Sequence, residues 1–294
     1  MIKTISGYLR KRKRIKMIPV LNVSGHTLPD AWEKSLVQLY TNGQKISTQY
    51  DRPEDPPSLD STMMIVVENP LAEPMIHLDM PGGFEDLQEY VMEVCDGIKD
   101  HCIRDPHNPN DKRWEYTYHQ RLFEYPVLDM TDLSSINFCV DQIEHMCQQL
   151  SQCLYTRRAQ AITWNVGADT NCYDPPCLQS IWCRVINNQL CMNVRFRSRD
   201  AYKAAFMNMF ALIQLQVRIA KRVSELTNTE IAVGRYVDFS DSYHIYGKNI
   251  NEFENRFMNM LKTRTFEGRT IEYAGVKGIM DEAIPGILEK AKGM

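Results

Sequence analysis

The chain has 294 residues, 44% of them hydrophobic, which is long and apolar enough to bury a substantial core. Its formal net charge of −3 provides no global field toward nucleic acid or anionic membrane, and no apolar run approaches the ~18 residues of a membrane span. Nine cysteines, an odd number in a chain that does not need stapling, point to reduced thiols and a cytoplasmic protein; Cys172 and Cys177 have no second pair of similar spacing, so no zinc site is expected.

The first sixteen residues hold Lys3, Arg10, Lys11, Arg12, Lys13, Arg14 and Lys16 without the apolar segment of a signal peptide, so 1–16 reads as a solvated basic tail and 17–294 as one domain. Arg52 to Leu59, with three prolines, must be a loop, and Met63 to Glu68 a short buried strand. Leu87, Tyr90, Val91, Val94 and Ile98 recur at helical spacing and predict a helix from Glu85 to Asp100. Another loop, Asp105 to Lys112, precedes a helix expected over Asp132–Gln152 and a strand over Ala159–Val166. Ile181–Ile186 and Leu190–Phe196 form a hairpin, because Asn187-Asn188 tolerates the positive φ of a tight turn. The longest helix is expected over Asp200–Leu226, apolar nearly all round from Ala204 to Leu215 and therefore buried. Val233–Phe239 is a strand that Tyr243–Tyr246 would continue, and Asn251–Lys262 a helix. Strands and helices without βαβ alternation give an α+β class, a mixed sheet with helices packed on it.

The chemistry concentrates in Asp174-Pro175-Pro176-Cys177 and, after the hairpin, Arg197-Ser198-Arg199-Asp200. Two prolines fix the backbone ahead of Cys177, and Arg157, Arg158, Arg195 and Arg197 offer cations that would lower its thiol pKa and make a nucleophile of it. Without a Gly-rich loop, any phosphate must be held by guanidinium groups. Each group also has a plainer reading. Arg157 and Arg158 can be a solvated pair, Ser198 the N-cap of the long helix, and Asp200 an acid in its first turn. Asn208, an amide on an apolar helix, joins a core network or faces a ligand. His244 and Tyr246 share one face of an extended segment and serve a sugar or a strand's polar side.

Together these residues resemble the thymidylate synthase family, including its pyrimidine nucleotide hydroxymethylases. The resemblance runs in order through Tyr116-Thr-Tyr118-His-Gln-Arg121, Arg157-Arg158 leading into Ala-Gln-Ala-Ile-Thr-Trp-Asn-Val, Pro176-Cys177, Arg197-Ser198-x-Asp200 with Asn208, and Ser242-Tyr-His244-Ile-Tyr246. It implies that Cys177 adds to C6 of a pyrimidine nucleoside 5′-monophosphate, activating C5 toward 5,10-methylenetetrahydrofolate. It further implies a homodimer formed through a sheet face, in which Arg157 and Arg158 of one subunit join Arg197 and Ser198 around the other subunit's phosphate. Asp200 would anchor the pterin, Asn208 read the base, His244 and Tyr246 the sugar hydroxyl, and Tyr118 serve as an active-site tyrosine. Glu89 would correspond to the family's helix glutamate, which organises proton transfer and water, although its wheel position, opposite Leu87, Val91 and Val94, is the solvated face by default, and Arg52 to a mobile phosphate arginine.

Departures from the family pattern bear on the product. Leu178 stands where the family usually has His, and Ala204-Ala205-Phe206-Met207 precedes Asn208 in place of a Gly-Leu-Pro-Phe run. Asp100 to Asn110 has no tryptophan, and Ile287 to Met294 does not match the family's apolar tail. A less sealed site admits water, so hydroxymethylation is expected ahead of reductive methylation, with dUMP the first substrate and CMP or dCMP next. A nucleotide-binding relative without catalysis is the alternative from another class.

Overall fold

The structure, a computed structural model, describes residues 17–105, 108, 110–129, 131 and 136–294. The basic tail expected over 1–16 and the start of the helix expected from Asp132 lie outside these residues. The strands are β1 (Val20–Gly25), β2 (Gln44–Ile46), β3 (Ser58–Val67), β4 (Ile76–His77), β5 (Tyr125–Leu128), β6 (Ile136–Val140), β7 (Gln160–Ile162), β8 (Leu178–Ile186), β9 (Gln189–Asp200), β10 (Ala232–Ile245) and β11 (Thr270–Ile271). The helices are α1 (Leu28–Asn42), α2 (Phe84–Asp96), α3 (Tyr118–Phe123), α4 (Gln142–Gln152), α5 (Val166–Asp169), α6 (Ala205–Thr227), α7 (Ile250–Phe253), α8 (Asn259–Thr263) and α9 (Tyr273–Lys292), with a π turn, Glu254–Met258, between α7 and α8.

One mixed sheet carries the fold, in the order β1-β3-β10-β9-β8-β7 with β2 beside β3. β1 runs parallel to β3 and β9 parallel to β10, while β3–β10, β8–β9 and β7–β8 are antiparallel. The expected α+β architecture is therefore present. At the β8–β9 hairpin Asn187 and Asn188 adopt φ 51 and 56, the left-handed pair that a two-residue turn demands. The long helix α6 is buried through Phe206, Phe210, Ile213 and Ile219, and its one fully buried amide, Gln216, donates to the Leu190 and Gly234 carbonyls. Trp32 of α1 is fully buried, meets Phe206 and Phe257 edge-on, and donates its indole N–H to the Ala201 carbonyl at 2.9 Å.

Several elements differ from expectation for identifiable reasons. The segment read as one helix to Gln152 is strand β6 followed by α4: the Ile-Asn-Phe-Cys-Val run pairs with β5, and Asp141 then caps α4 by accepting the Glu144 N–H at 2.8 Å. The strand expected to Val166 stops at Ile162, and the Asn165 side chain caps α5 instead. Helix α6 starts at Ala205, so Ser198 is not its N-cap and Asp200 is not in its first turn; both belong to β9, paired with Ser242 and His244 of β10. Helix α2 stops at Asp96 because Gly97 takes φ +65, and a Cβ there would lie 2.3 Å from His119 Nδ1. β3 begins at Ser58, five residues earlier than expected. The proline loop before it is held against the end of β10, where a Cβ on Gly247 would meet the Pro56 carbonyl oxygen at 1.7 Å. β1, α1 and α9 were not foreseen; Pro285 and three glycines interrupt the periodicity of α9.

Candidate active site

Cys177 ends the loop that enters β8, and β9 holds that loop in place. Arg197 donates its backbone N–H to the Cys177 carbonyl at 2.9 Å, while its guanidinium donates to the Pro175 and Pro176 carbonyls at 2.5 and 3.0 Å. The prolines thus present carbonyls that no helix or strand consumes, and Arg197 turns them into a rigid mount for the thiol. Tyr118, first residue of α3, accepts the Leu178 N–H at 3.3 Å, and Thr117 caps that helix. Burial pushes the Cys177 thiol above its ordinary range, against the pull of Arg197 and Arg199, with Asp174 adding to the rise. The expected cationic lowering is therefore outweighed within this chain.

A cavity of about 250 Å³ opens over the sulfur, lined by Tyr118, Ser198, Arg199, Asp200, Asn208, His244 and Tyr246 with Cys177. Its floor is Arg199, only 3% exposed, which pairs with the fully buried Asp238, donates to the Ala205 carbonyl at 3.1 Å and lies 3.9 Å over the Phe196 ring. Tyr236 donates to Asp238 at 2.9 Å. From the helix side, Asn208 donates its side-chain N–H to the Tyr90 hydroxyl of α2, whose burial keeps that phenol protonated. At the end of β9, Asp200 Oδ1 accepts the backbone N–H groups of Tyr202 and Lys203, and burial raises its pKa against them. His244 is 5% exposed, burial takes its pKa down to about 4, and Tyr246 meets its ring edge-on at 4.5 Å.

Tyr118 also lines an adjoining cleft of about 430 Å³ with Glu93, Arg113, Trp114, Glu115, Tyr116, Thr117, Tyr173 and Asp174. Of the carboxylates on this wall, the one contributed by α2 is Glu93, one helical turn beyond Glu89. Burial raises the Glu93 pKa, opposed by its 3.0 Å pair with Lys99. Burial also works to raise Glu89, but hydrogen bonds from Lys290 and Lys99, each 2.7 Å away, outweigh it and leave Glu89 below its ordinary range. Glu89 does not face solvent, as its wheel position implied, because α9 covers it and supplies Lys290.

The thymidylate synthase family model matches residues 103–269, more than half of the chain. The chain belongs to the thymidylate synthase family. Two archaeal relatives, each described as "Putative thymidylate synthase", extend the likeness beyond that segment. The Methanocaldococcus jannaschii protein is 28% identical over 232 residues, covering 77% of this chain and 91% of its own, and the Methanosarcina acetivorans protein is 27% identical over 233 residues, covering 79% and 93%. Among solved structures, thermostable thymidylate synthase A from Bacillus subtilis superposes with a TM-score of 0.56 at 17% identity, covering 79% of this chain and 84% of that one, which supports the fold.

Within this thymidylate synthase family chain the structure brings together Cys177, Tyr118, Ser198, Asp200, Asn208, His244 and Tyr246, and joins Arg197 to them through the nucleophile loop. It does not bring Arg52, Arg157 or Arg158 to its own cavity. Arg52 is exposed in the proline loop, and Arg157 and Arg158 are exposed ahead of β7 at the sheet edge. Arg195 points elsewhere too, forming a surface pair with Asp241 at 3.0 Å. Sequence reading missed Arg199, Tyr90, Glu93 and Trp114. Arg199 stood in the quoted Arg-Ser-Arg-Asp run, and Tyr90 and Glu93, three apart on α2, share a helix face that could have been read as one lining stripe.

Proposed function

We propose that this family member transfers a one-carbon unit to C5 of a pyrimidine nucleoside 5′-monophosphate, with dUMP the preferred substrate. The observation that carries it is the convergence of a thiol, a buried guanidinium, a part-buried amide held by a phenol behind it and a neutral buried imidazole on one small cavity. Cys177 would attack C6 of the base, and Arg199 beneath it would favour the thiolate that burial disfavours. Asn208, with one N–H committed to Tyr90, keeps Oδ1 and a second N–H for the base edge, a donor–acceptor pair that matches the N3–H and O4 of uracil. Ser198 and the arginines would take the phosphate; His244 and Tyr246 would take the sugar.

The adjoining cleft suits a flat heterocycle, since Trp114, Tyr116 and Tyr173 give it aromatic surface while Glu93, Glu115 and Asp174 supply carboxylates, with Asp200 in the small cavity beside it. Methylenetetrahydrofolate bound there would supply the carbon. Glu93, the raised carboxylate on that wall, would hold and pass the proton, a role the sequence assigned to Glu89. We take 17–294 as the catalytic unit and a homodimer as its working form. The face of the sheet bearing Met64, Trp182, Arg195, Val237 and Phe239 would form the interface, and Arg157 and Arg158 would reach the partner's phosphate. Arg52 would close over the same phosphate from its loop. The nine cysteines form no disulfide, in keeping with a reducing cytoplasm, and among the described residues no helix is long and apolar enough to cross a membrane.

Hydroxymethylation is the favoured outcome, supported by an open cleft whose rim residue Tyr173 is 88% exposed, so that water reaches C5. Trp114 favours the second reading, reductive methylation, because it puts an indole in the cleft wall that the 100–110 segment lacks. Incubation with methylenetetrahydrofolate and each of dUMP, dCMP and CMP, followed by mass analysis, decides between them. The expected product is 5-hydroxymethyl-dUMP with tetrahydrofolate; thymidine monophosphate with dihydrofolate replaces the first reading by the second, and no product from any nucleotide ends both.

A further inference from the structure

At the sugar end of the cavity Asp60, Ser242 and His244 form a hydrogen-bonded chain whose direction follows from counting protons. β3 and β10 pair there, with Asp60 opposite His244. The Ser242 hydroxyl donates to Asp60 Oδ2 at 2.9 Å, and its oxygen lies 3.2 Å from His244 Nδ1. A hydroxyl has one proton. Burial raises the Asp60 pKa, but while ionised its carboxylate can only accept, so Ser242 spends its proton on Asp60 and the contact with His244 is one in which the ring donates, a direction the hydrogen bond between the ring and the Ser242 backbone also favours. A neutral imidazole holds a single N–H, so with the proton on Nδ1 the other nitrogen is a bare acceptor. That nitrogen, Nε2, is buried and has no partner among the described residues, although the ring is 95% covered and lines the cavity. An acceptor so placed is satisfied by a donor arriving with the ligand.

We infer that Asp60, acting through Ser242, is a positioning residue that holds His244 as the Nδ1–H tautomer, making Nε2 the acceptor for a ligand hydroxyl. Taking the function proposed above, that hydroxyl is the 3′-OH of the nucleotide sugar. The site then selects for a proton donor at the 3′ carbon, and a fluorine of similar size and polarity is rejected as firmly as a hydrogen.

Two measurements on the full chain test this separately. In protein labelled with ¹⁵N-histidine, long-range ¹H–¹⁵N correlation reads the tautomer without any ligand, the His244 signals being assigned with His244→Gln. His244 is expected to show a protonated Nδ1 and a bare Nε2, and Ser242→Ala or Asp60→Ala to shift it toward Nε2–H. By calorimetry, 3′-deoxy and 3′-fluoro analogues of dUMP are expected to bind the wild type about tenfold or more weaker than dUMP, a gap that shrinks to about threefold or less in Ser242→Ala. An Nε2–H ring in the wild type, as a protonated Asp60 would impose, overturns the inference. So does a tautomer that Ser242→Ala leaves unmoved, or a 3′-fluoro analogue that binds as well as dUMP. The expected tautomer together with its shift in Ser242→Ala and Asp60→Ala, in a protein that binds no dUMP, would instead remove the nucleotide function while confirming the Asp60 relay.

Discussion

Exchanging one carboxylate at a time on α2 separates a residue that holds the fold from one that serves the cleft. Glu93→Gln keeps shape and hydrogen-bonding capacity but removes the acid; if Glu93 handles the proton, kcat/KM should fall about 10²- to 10⁴-fold. Glu89→Gln should act on stability. Breaking a buried ion pair costs about 3–5 kcal/mol when it strands a charge, but Lys99 keeps Glu93 at 3.0 Å and the Lys290 side chain is 56% exposed, so neither is stranded. A loss of about 1–2 kcal/mol is expected, a few degrees of Tm. The pH dependence carries opposite signs. Glu89, lowered in the fold, contributes stability that is present above its unfolded value near 4.5 and fades as pH falls through the folded one, so Glu89→Gln and wild type should converge in acid. Glu93, raised, favours the fold below that value and loses this as pH rises through its folded pKa. Urea unfolding from pH 3 to 8 together with tritium release from [5-³H]dUMP reads both effects. A Glu89→Gln enzyme as inactive as Glu93→Gln, at wild-type stability, would refute the assignment.

Arg199→Met should strand Asp238 in the core and cost about 3–5 kcal/mol by urea titration, whereas Arg199→Met with Asp238→Leu should recover most of the stability and none of the nucleotide binding. Tyr90→Phe frees the Asn208 amide to turn over, and the ratio of kcat/KM for dUMP against dCMP should fall about tenfold, which competition assays measure. Mixing inactive Cys177→Ser chains with inactive Arg157→Ala/Arg158→Ala chains should restore about a quarter of wild-type activity after subunit exchange, because half of the dimers are mixed and each has one intact site; no recovery would place the arginines in their own subunit's site or on the surface. In Arg157→Ala/Arg158→Ala chains, which lack the cations a partner would bring, alkylation of Cys177 by iodoacetamide should keep accelerating with pH beyond the point where an ordinary exposed thiol levels off, since burial raises this thiol; a plateau by pH 8 would contradict it.

Legibility followed the range of the interactions. The β8–β9 turn was written in two asparagines, and α6 in a nearly unbroken apolar face, because both are local consequences of backbone sterics and burial. The residues of the small cavity were legible as spaced motifs. The boundary errors arose where a local signal lost to pairing. Ser198 is a good N-cap residue, yet β10 offers Ser198 and Asp200 a ladder of backbone hydrogen bonds that a cap cannot match, and the strand continues through them. Likewise β6 exists because β5 is beside it.

The chemistry of the site depended most on contacts that no single segment contains. Glu89 and Glu93 are the same residue type on one helix, and only the family resemblance singled out Glu89. Lysines from two distant places, the loop after α2 and the last turn of α9, pair with Glu89 and lower its pKa, while Glu93 is on the cleft wall with a raised one. The thiol shows the same logic with the opposite result. Counting arginines near Cys177 in the sequence predicts a lowered pKa, but Arg195 pairs with Asp241, Arg197 is spent on the Pro175 and Pro176 carbonyls, and Arg157 and Arg158 are exposed away from the cavity. Burial therefore wins in the lone subunit. A nucleophile raised in this way gains most from cations that arrive with assembly, so a shared active site would supply the two missing arginines and activate the thiol in the same step.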